Sequence, residues 1–232
     1  MRERMPERHE KKYYISASDL EGLRNRIARV LDYDPHADAN GEYFIRSLYF
    51  DDVFDSAYYD KVDGAPARDK YRIRIYNMSD AVIFLERKRK AGELIQKSSV
   101  RITRELAQEL INGNPTPLLK TGEPLLLEMY AEMRTKLLRA KVLVDYTREA
   151  FVHPAQNVRI TFDKRLSCCP GSTDLFNKDL LSASVLDSAQ EILEVKYDEY
   201  LPQFIAAVLA DSSHEHCAVS KYVLCRGFEP LT

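Results

Sequence analysis

Between residues 68 and 102 apolar and polar side chains alternate with a period of two. In Lys70-Tyr71-Arg72-Ile73-Arg74-Ile75-Tyr76 every polar position is cationic. A strand turns alternate side chains to opposite faces. Lys70, Arg72 and Arg74 therefore share one face, and Tyr71, Ile73 and Ile75 the other. Ala81–Arg89 and Leu94–Ile102 continue the alternation, which predicts a three-stranded meander over Arg68–Tyr76, Ala81–Arg89 and Leu94–Ile102. Its turns fall at Met78-Ser79-Asp80 and Ala91-Gly92-Glu93.

Further strands are predicted over Arg8–Ser16, Arg46–Asp51, Lys141–Thr147, Arg159–Asp163 and Glu191–Tyr197. Helical spacing follows Ser18, an N-cap with Glu21 completing a capping box, through Leu20, Leu23, Ile27 and Val30. Helices are also expected over Asp55–Val62, Arg104–Ile111, Leu125–Leu138, Asp198–Leu209 and Ala218–Cys225. Leu166–Ser184 is rich in turn formers and reads as irregular. No repeat, low-complexity tract or clear linker breaks the 232 residues, so one domain over 1–232 is expected.

The polar face repeats its character along the chain. It carries Arg8, Glu10 and Lys12, then Arg72 and Arg74, Glu86 and Lys88, and Lys97, Ser99 and Arg101. The second half adds Tyr146 and Arg148, Arg159, Thr161 and Asp163, and Glu194 and Lys196. The opposite faces carry Ile73, Ile75, Leu85, Val100, Ile102, Leu143, Ile160, Phe162 and Val195. An α+β fold reconciles the two: a closed antiparallel β-barrel with helices packed outside and a charged tunnel within. The competing reading is a water-facing sheet laced with salt bridges. Repetition over six strands favours the tunnel.

Composition narrows the function. With 45% hydrophobic and 30% charged residues the chain is globular, and a formal net charge of -2 argues against a general nucleic-acid binder. No run is apolar enough to span a bilayer. The start, Met1-Arg-Glu-Arg-Met-Pro, lacks the apolar core of a signal peptide. Cys168, Cys169, Cys217 and Cys225 fit no zinc spacing, which points to a reduced, cytoplasmic chain. His214-x-His216 reads as a solvated turn rather than a metal pair. The acids on the polar face are too few to neutralise its cations, whereas a bound polyphosphate would do so. Arg offers phosphate forked contacts and Lys point charges. The carboxylates Glu10, Glu86, Asp163 and Glu194 suit Mg²⁺ or Mn²⁺, which prefer hard oxygen ligands.

The ordered set Glu10-x-Lys12-Tyr13, Ser47-Leu-Tyr-Phe-Asp51, Lys70-x-Arg72-x-Arg74, Leu85-Glu86-x-Lys88, Lys97, Tyr146-x-Arg148, Arg159-x-Thr-x-Asp163, Leu193-Glu194-x-Lys196 and Ser220-Lys221-Tyr222 resembles the VTC domain. That is the polyphosphate polymerase domain of the vacuolar transporter chaperone complex, within the triphosphate tunnel (CYTH-like) metalloenzymes. The resemblance covers nearly the whole chain. It implies a phosphotransferase that moves the γ-phosphoryl group of ATP to a growing polyphosphate, with Mn²⁺ or Mg²⁺. By motif, Lys12, Arg72, Arg74, Lys88 and Arg148 carry the catalytic role. Lys97, Tyr146, Arg159, Lys196, Ser220 and Lys221 bind phosphate, Lys61 stands where the family has another basic residue, and Glu194 is the first choice of metal ligand.

The sequence carries neither the SPX domain nor the membrane segments of eukaryotic subunits. It resembles the stand-alone bacterial type, for which a membrane-protein partner and a place at the inner face of the membrane are implied. Related tunnel enzymes begin Glu-x-Glu-x-Lys, and here Arg8 replaces the first Glu. Two alternatives stay open: a triphosphatase with water as acceptor, and a non-catalytic polyphosphate-binding module. No Cys or His stands out as a nucleophile, and the tyrosines Tyr13, Tyr43, Tyr49, Tyr58, Tyr59 and Tyr130 read as packing residues.

Overall fold

A computed structural model of the chain describes residues 8–92, 94–187, 189–210 and 215–228. The start of the chain and His214 lie outside them. In chain order the elements are β1 (Arg8–Ser16), α1 (Ala17–Ile27), β2 (Asp32–Tyr33), β3 (Glu42–Asp51), α2 (Ser56–Val62), β4 (Ala67–Tyr76), β5 (Ser79–Ala91), β6 (Leu94–Ile102) and α3 (Arg104–Ile111). There follow α4 (Pro124–Thr135), β7 (Arg139–His153), β8 (Val158–Cys168), β9 (Ala183–Ser184), β10 (Gln190–Asp198), α5 (Gln203–Leu209), β11 (Glu215–His216) and α6 (Lys221–Phe228). Hydrogen-bonded neighbours run β11-β1-β10-β8-β7-β3-β4-β5-β6, with β2 beside β7 and β9 beside β8. This is an antiparallel sheet with helices, as expected. The path has two ends, β11 and β6, so the closed barrel is corrected to an open ladder among the described residues. Alternation tells which residues share a face; closure depends on strand tilt and stagger, which it does not encode.

The described residues form two compact units. One gathers those up to Tyr43 with Tyr146–Leu166 and Leu186–Val219. The other gathers Phe44–Asp145, Ser167–Val185 and those from Ser220 onward. In the first unit Val195 pairs with Lys11 and Ile160, and Leu193 with Tyr13 and Phe162. Val195, Ile160, Leu193 and Phe162 of these rows join Leu20, Leu23 and Ile27 of α1 in one buried cluster. The second unit is built alike: Leu48, Ile73, Leu85 and Ile83 pack with Ala107 and Leu110 of α3 and Met129 and Met133 of α4. Burying a Leu, Ile or Met side chain contributes roughly 1.5–3 kcal/mol. The apolar sides read from the sequence thus face the two cores.

Several boundaries moved for local reasons. The cap of α1 is Ser16, not Ser18: its Oγ accepts the Asp19 N–H at 3.1 Å and donates to the Asp19 carboxylate at 2.7 Å. The β4–β5 turn is Asn77-Met78, both with positive φ (50° and 52°), the signature of a tight primed hairpin turn. The helix expected from Asp198 starts only at Gln203, because Pro202 disfavours helical backbone at Leu201 and caps the helix itself. Leu137, at φ 57°, lies beyond the end of α4. Cys168, Cys169 and Cys225 are buried thiols and Cys217 is half-buried, with none in a disulfide. No helix among the described residues is long and apolar enough to cross a membrane.

Candidate functional site

In the second unit the strand registers stack the cationic positions into cross-strand rows. One row is Lys70, Lys88 and Lys97; the next is Tyr49, Arg72, Glu86 and Ser99; the third is Ser47, Arg74, Phe84 and Arg101. Three cations converge on the buried carboxylate of Glu86. Arg72 donates from Nε at 2.7 Å and lies 2.6 Å away through Nη2, Lys97 Nζ is at 2.6 Å, and Arg74 Nη1 at 3.9 Å. Burial alone would push Glu86 toward its neutral acid, but Arg72, Arg74 and Lys97 outweigh it and hold the group well below the usual carboxylate range. Lys97 is lowered, by burial and by the two guanidinium groups. Within this set three positive charges share one negative charge.

The surroundings of these cations were not legible as a site. Tyr49, read as a packing residue, accepts a hydrogen bond from Arg72 Nη1 at 2.8 Å. Burial opposes ionisation of its phenol, yet Arg72 and Arg74 lower its pKa overall. Ser220 Oγ accepts from Lys70 Nζ at 3.0 Å, and Lys221 follows as the first residue of α6. Lys88 is exposed and Lys61 lies on α2. Period-two alternation places a tyrosine on a face; it does not reveal what the hydroxyl meets.

The first unit holds a different cluster. Its rows are Glu10, Lys196 and Arg159; then Lys12, Glu194 and Thr161; then Tyr14, Ile192 and Asp163. Lys12 Nζ lies 2.9 Å from Glu10 and 3.3 Å from Glu194. Lys196 Nζ donates to Glu194 at 2.8 Å. Arg148 binds Asp163 through Nε at 2.6 Å and Nη2 at 2.8 Å, stands 3.6 Å from Glu194, and lies over the Tyr146 ring at 5.3 Å. Arg159 pairs with Asp34 and donates to the Tyr43 hydroxyl at 2.8 Å. Four cations, Lys12, Lys196, Arg148 and Arg159, thus meet four carboxylates, Glu10, Glu194, Asp163 and Asp34. The expectation that the acids cannot balance the cations therefore fails in this cluster, because Asp34, outside the predicted strands, supplies one carboxylate. Burial resists charge on Lys12, but Glu194 and Glu10 raise its pKa. Lys196 is pushed down to about 8 by burial, with Arg148 adding to it against the pull of Glu194 and Glu10.

Of the four candidate metal carboxylates, Glu86 stands in the second unit among cations and Asp163 is engaged at both oxygens by Arg148. Glu10 and Glu194 are bridged by Lys12 Nζ, 2.9 Å from one and 3.3 Å from the other. No group of three His, Cys, Asp or Glu is arranged to hold a metal among the described residues. Mg²⁺ and Mn²⁺ commonly use only one or two carboxylates, with phosphate and water completing the shell. The buried Thr161 hydroxyl, directly across the ladder from Glu194, has no hydrogen-bond partner among the described residues. Two carboxylates bridged by Lys12 beside an unsatisfied hydroxyl fit such an ion.

The comparisons with known proteins bear on this geometry. No curated protein matches the chain. Among solved structures, the PH1012 protein of Pyrococcus horikoshii OT3 superposes with a TM-score of 0.50 at 10% identity, covering 94% of this chain and 99% of that one. The bh2851 protein of Bacillus halodurans gives 0.49 at 10% identity, covering 88% of each chain. The former likeness concerns the fold alone. The model of the VTC domain matches residues 7–228, a span that takes in every site position discussed above, and the chain belongs to the VTC domain family.

Proposed function

We propose that this VTC-domain chain is a polyphosphate polymerase that transfers the γ-phosphoryl group of ATP to the end of a polyphosphate chain. The observation that carries the reading is the sharing of the Glu86 carboxylate by Arg72, Arg74 and Lys97. Such a set, continued by the Lys70–Lys88–Lys97 row, attracts an oligophosphate more strongly than a balanced surface does. In the reaction an oxygen of the terminal phosphate attacks the γ-phosphorus. The bond from that phosphorus to the β–γ bridging oxygen breaks, and ADP leaves with the electron pair. The acceptor oxygen is already anionic at neutral pH, so no general base is needed, in keeping with the lack of a His or Cys among the clustered residues.

Phosphoryl transfer of this kind is loose, and the protein chiefly positions groups and neutralises charge. Arg72 and Arg74 bind phosphate oxygens as forks, and Lys88, Lys97 and Lys221 act as point charges with the Ser220 hydroxyl as a donor. Lys12, Lys196, Arg148, Arg159 and the Tyr146 hydroxyl do the same in the first unit. Glu10 and Glu194 would hold Mn²⁺ or Mg²⁺, which supplies charge neutralisation on phosphate oxygens when bound. The pairing of Lys12, Lys196 and Arg148 with these carboxylates leaves less room for a carboxylate-rich metal centre, which favours a polymerase over a triphosphatase. One domain over residues 1–232, a place at the inner face of the membrane and a membrane-protein partner belong to the same reading.

The test is incubation of the purified chain with ATP, Mn²⁺ and a short polyphosphate primer. Chains longer than the primer support the polymerase. Orthophosphate alone replaces it with a triphosphatase, and tight polyphosphate binding without turnover replaces it with a binding module.

A further inference from the structure

The C-terminal helix α6 is fastened to the β3–α2 corner by two rungs one turn apart. Tyr222 donates its hydroxyl to Asp51, and Arg226 pairs with Asp55 through Nε at 3.2 Å and Nη2 at 2.9 Å. Residues i and i+4 lie on one face of a helix, so both rungs come from the same side of α6. Asp51 is a fixed anchor: it also accepts backbone N–H groups from Asp52, Ala57 and Tyr58 at 2.9, 2.9 and 3.1 Å. Asp55 has a second cation, Lys141, at 3.3 Å.

The two rungs differ in what lies beyond them. The fully buried Tyr222 ring stacks on Tyr49, with centroids 5.1 Å apart and planes inclined by 27°. Tyr49 in turn holds Arg72. The Lys70 ammonium lies 5.2 Å over the Tyr222 ring and reaches Ser220, two residues earlier. Arg226 is held instead by the carboxylate of Asp55. We infer that Tyr222 is a positioning residue: its ring, stacked on Tyr49 and lying under the Lys70 ammonium, sets the places of Lys70 and Arg72 for the phosphates they bind. This rests on the phosphate-binding role proposed above for that cluster. It deepens that role, because Tyr222 meets the phosphates only through other side chains.

The test is calorimetric titration with inorganic tripolyphosphate, without metal, of the wild-type chain, Tyr222→Leu, Tyr222→Phe and Arg226→Met. Tyr222→Leu loses both the stack and the cation–π contact, and its affinity should fall at least about fivefold, the scale of one such contact. Tyr222→Phe keeps the ring and should recover most of that loss. Arg226→Met breaks the other rung and should lower the melting temperature while leaving affinity within about twofold, since it removes no charge from the phosphate-binding set. Wild-type affinity in Tyr222→Leu, or an equal loss in Arg226→Met, overturns the inference alone. Absence of wild-type binding overturns it together with the role it rests on. If Tyr222→Leu does not fold, the ring-shifted NMR signals of the Lys70 side chain in wild type and Tyr222→Phe decide. They should move on adding tripolyphosphate, and signals that stay put overturn the inference.

Discussion

Glu86→Gln should loosen the fold and tighten phosphate binding at once. The substitution keeps the shape of the side chain and removes the negative charge that Arg72, Arg74 and Lys97 share. Breaking a fully buried pair destabilises by about 3–5 kcal/mol. Here Arg72 is 22% and Lys97 53% exposed, so solvent screens part of that. A loss of about 2 kcal/mol is expected after that discount. The same change removes a charge that repels the ligand. A phosphate charge about 7 Å from that carboxylate feels roughly 2 kcal/mol at an effective dielectric constant near 20, before salt screening. With screening, tripolyphosphate affinity should rise about fivefold to tenfold at low salt. The assays are thermal melting and calorimetric titration with the metal chelated. A variant that melts lower but binds no tighter would refute the reasoning, since Glu86 would then serve only to hold a salt-bridged sheet together.

Three further outcomes follow from the same geometry. Glu86 is ionised in the folded state well below its unfolded pKa, near 4.5. Its contribution to stability is therefore present above about pH 4.5 and lost as pH falls; acid melting curves of Glu86→Gln should show a shallower decline than wild type. Asp163→Asn strips the buried Arg148 of its two-pronged partner, leaving Glu194 at 3.6 Å. Chemical denaturation should show a loss of about 3 kcal/mol, and an unchanged midpoint would mean the pair is solvated. Glu194→Gln should abolish stoichiometric Mn²⁺ binding seen by electron paramagnetic resonance in the presence of tripolyphosphate, whereas Glu86→Gln should retain it. The reverse pattern would move the metal to the second unit.

The alternation legible in the sequence was a matter of faces, and the faces came out as read. Ile73, Leu85, Ile160, Phe162 and Val195 lie in the cores, while Arg72, Arg74, Glu86, Lys12 and Glu194 stand on the opposite sides. Pairing of charges was not legible, because it depends on which strands become neighbours. Asp34, in the stretch after β2, neutralises Arg159 from a segment without periodicity. Tyr43 and Tyr49 follow an ordinary strand pattern, and only the register places their hydroxyls against Arg159 and Arg72. The Ser16 cap and the Asn77-Met78 turn differ from expectation by one or two residues, the scale at which competing local hydrogen bonds decide an element's end.

The measurement nearest the heart of the account is tripolyphosphate titration of the double variant Arg72→Ala/Arg74→Ala, paired with its circular dichroism and melting curve. Each lost charge-assisted contact is worth about 1.5–3 kcal/mol, so affinity should fall at least a hundredfold while the fold persists with Lys97 still on Glu86. A variant that unfolds, or one that binds as the parent does, would show that these arginines serve the sheet and not a chain of phosphates.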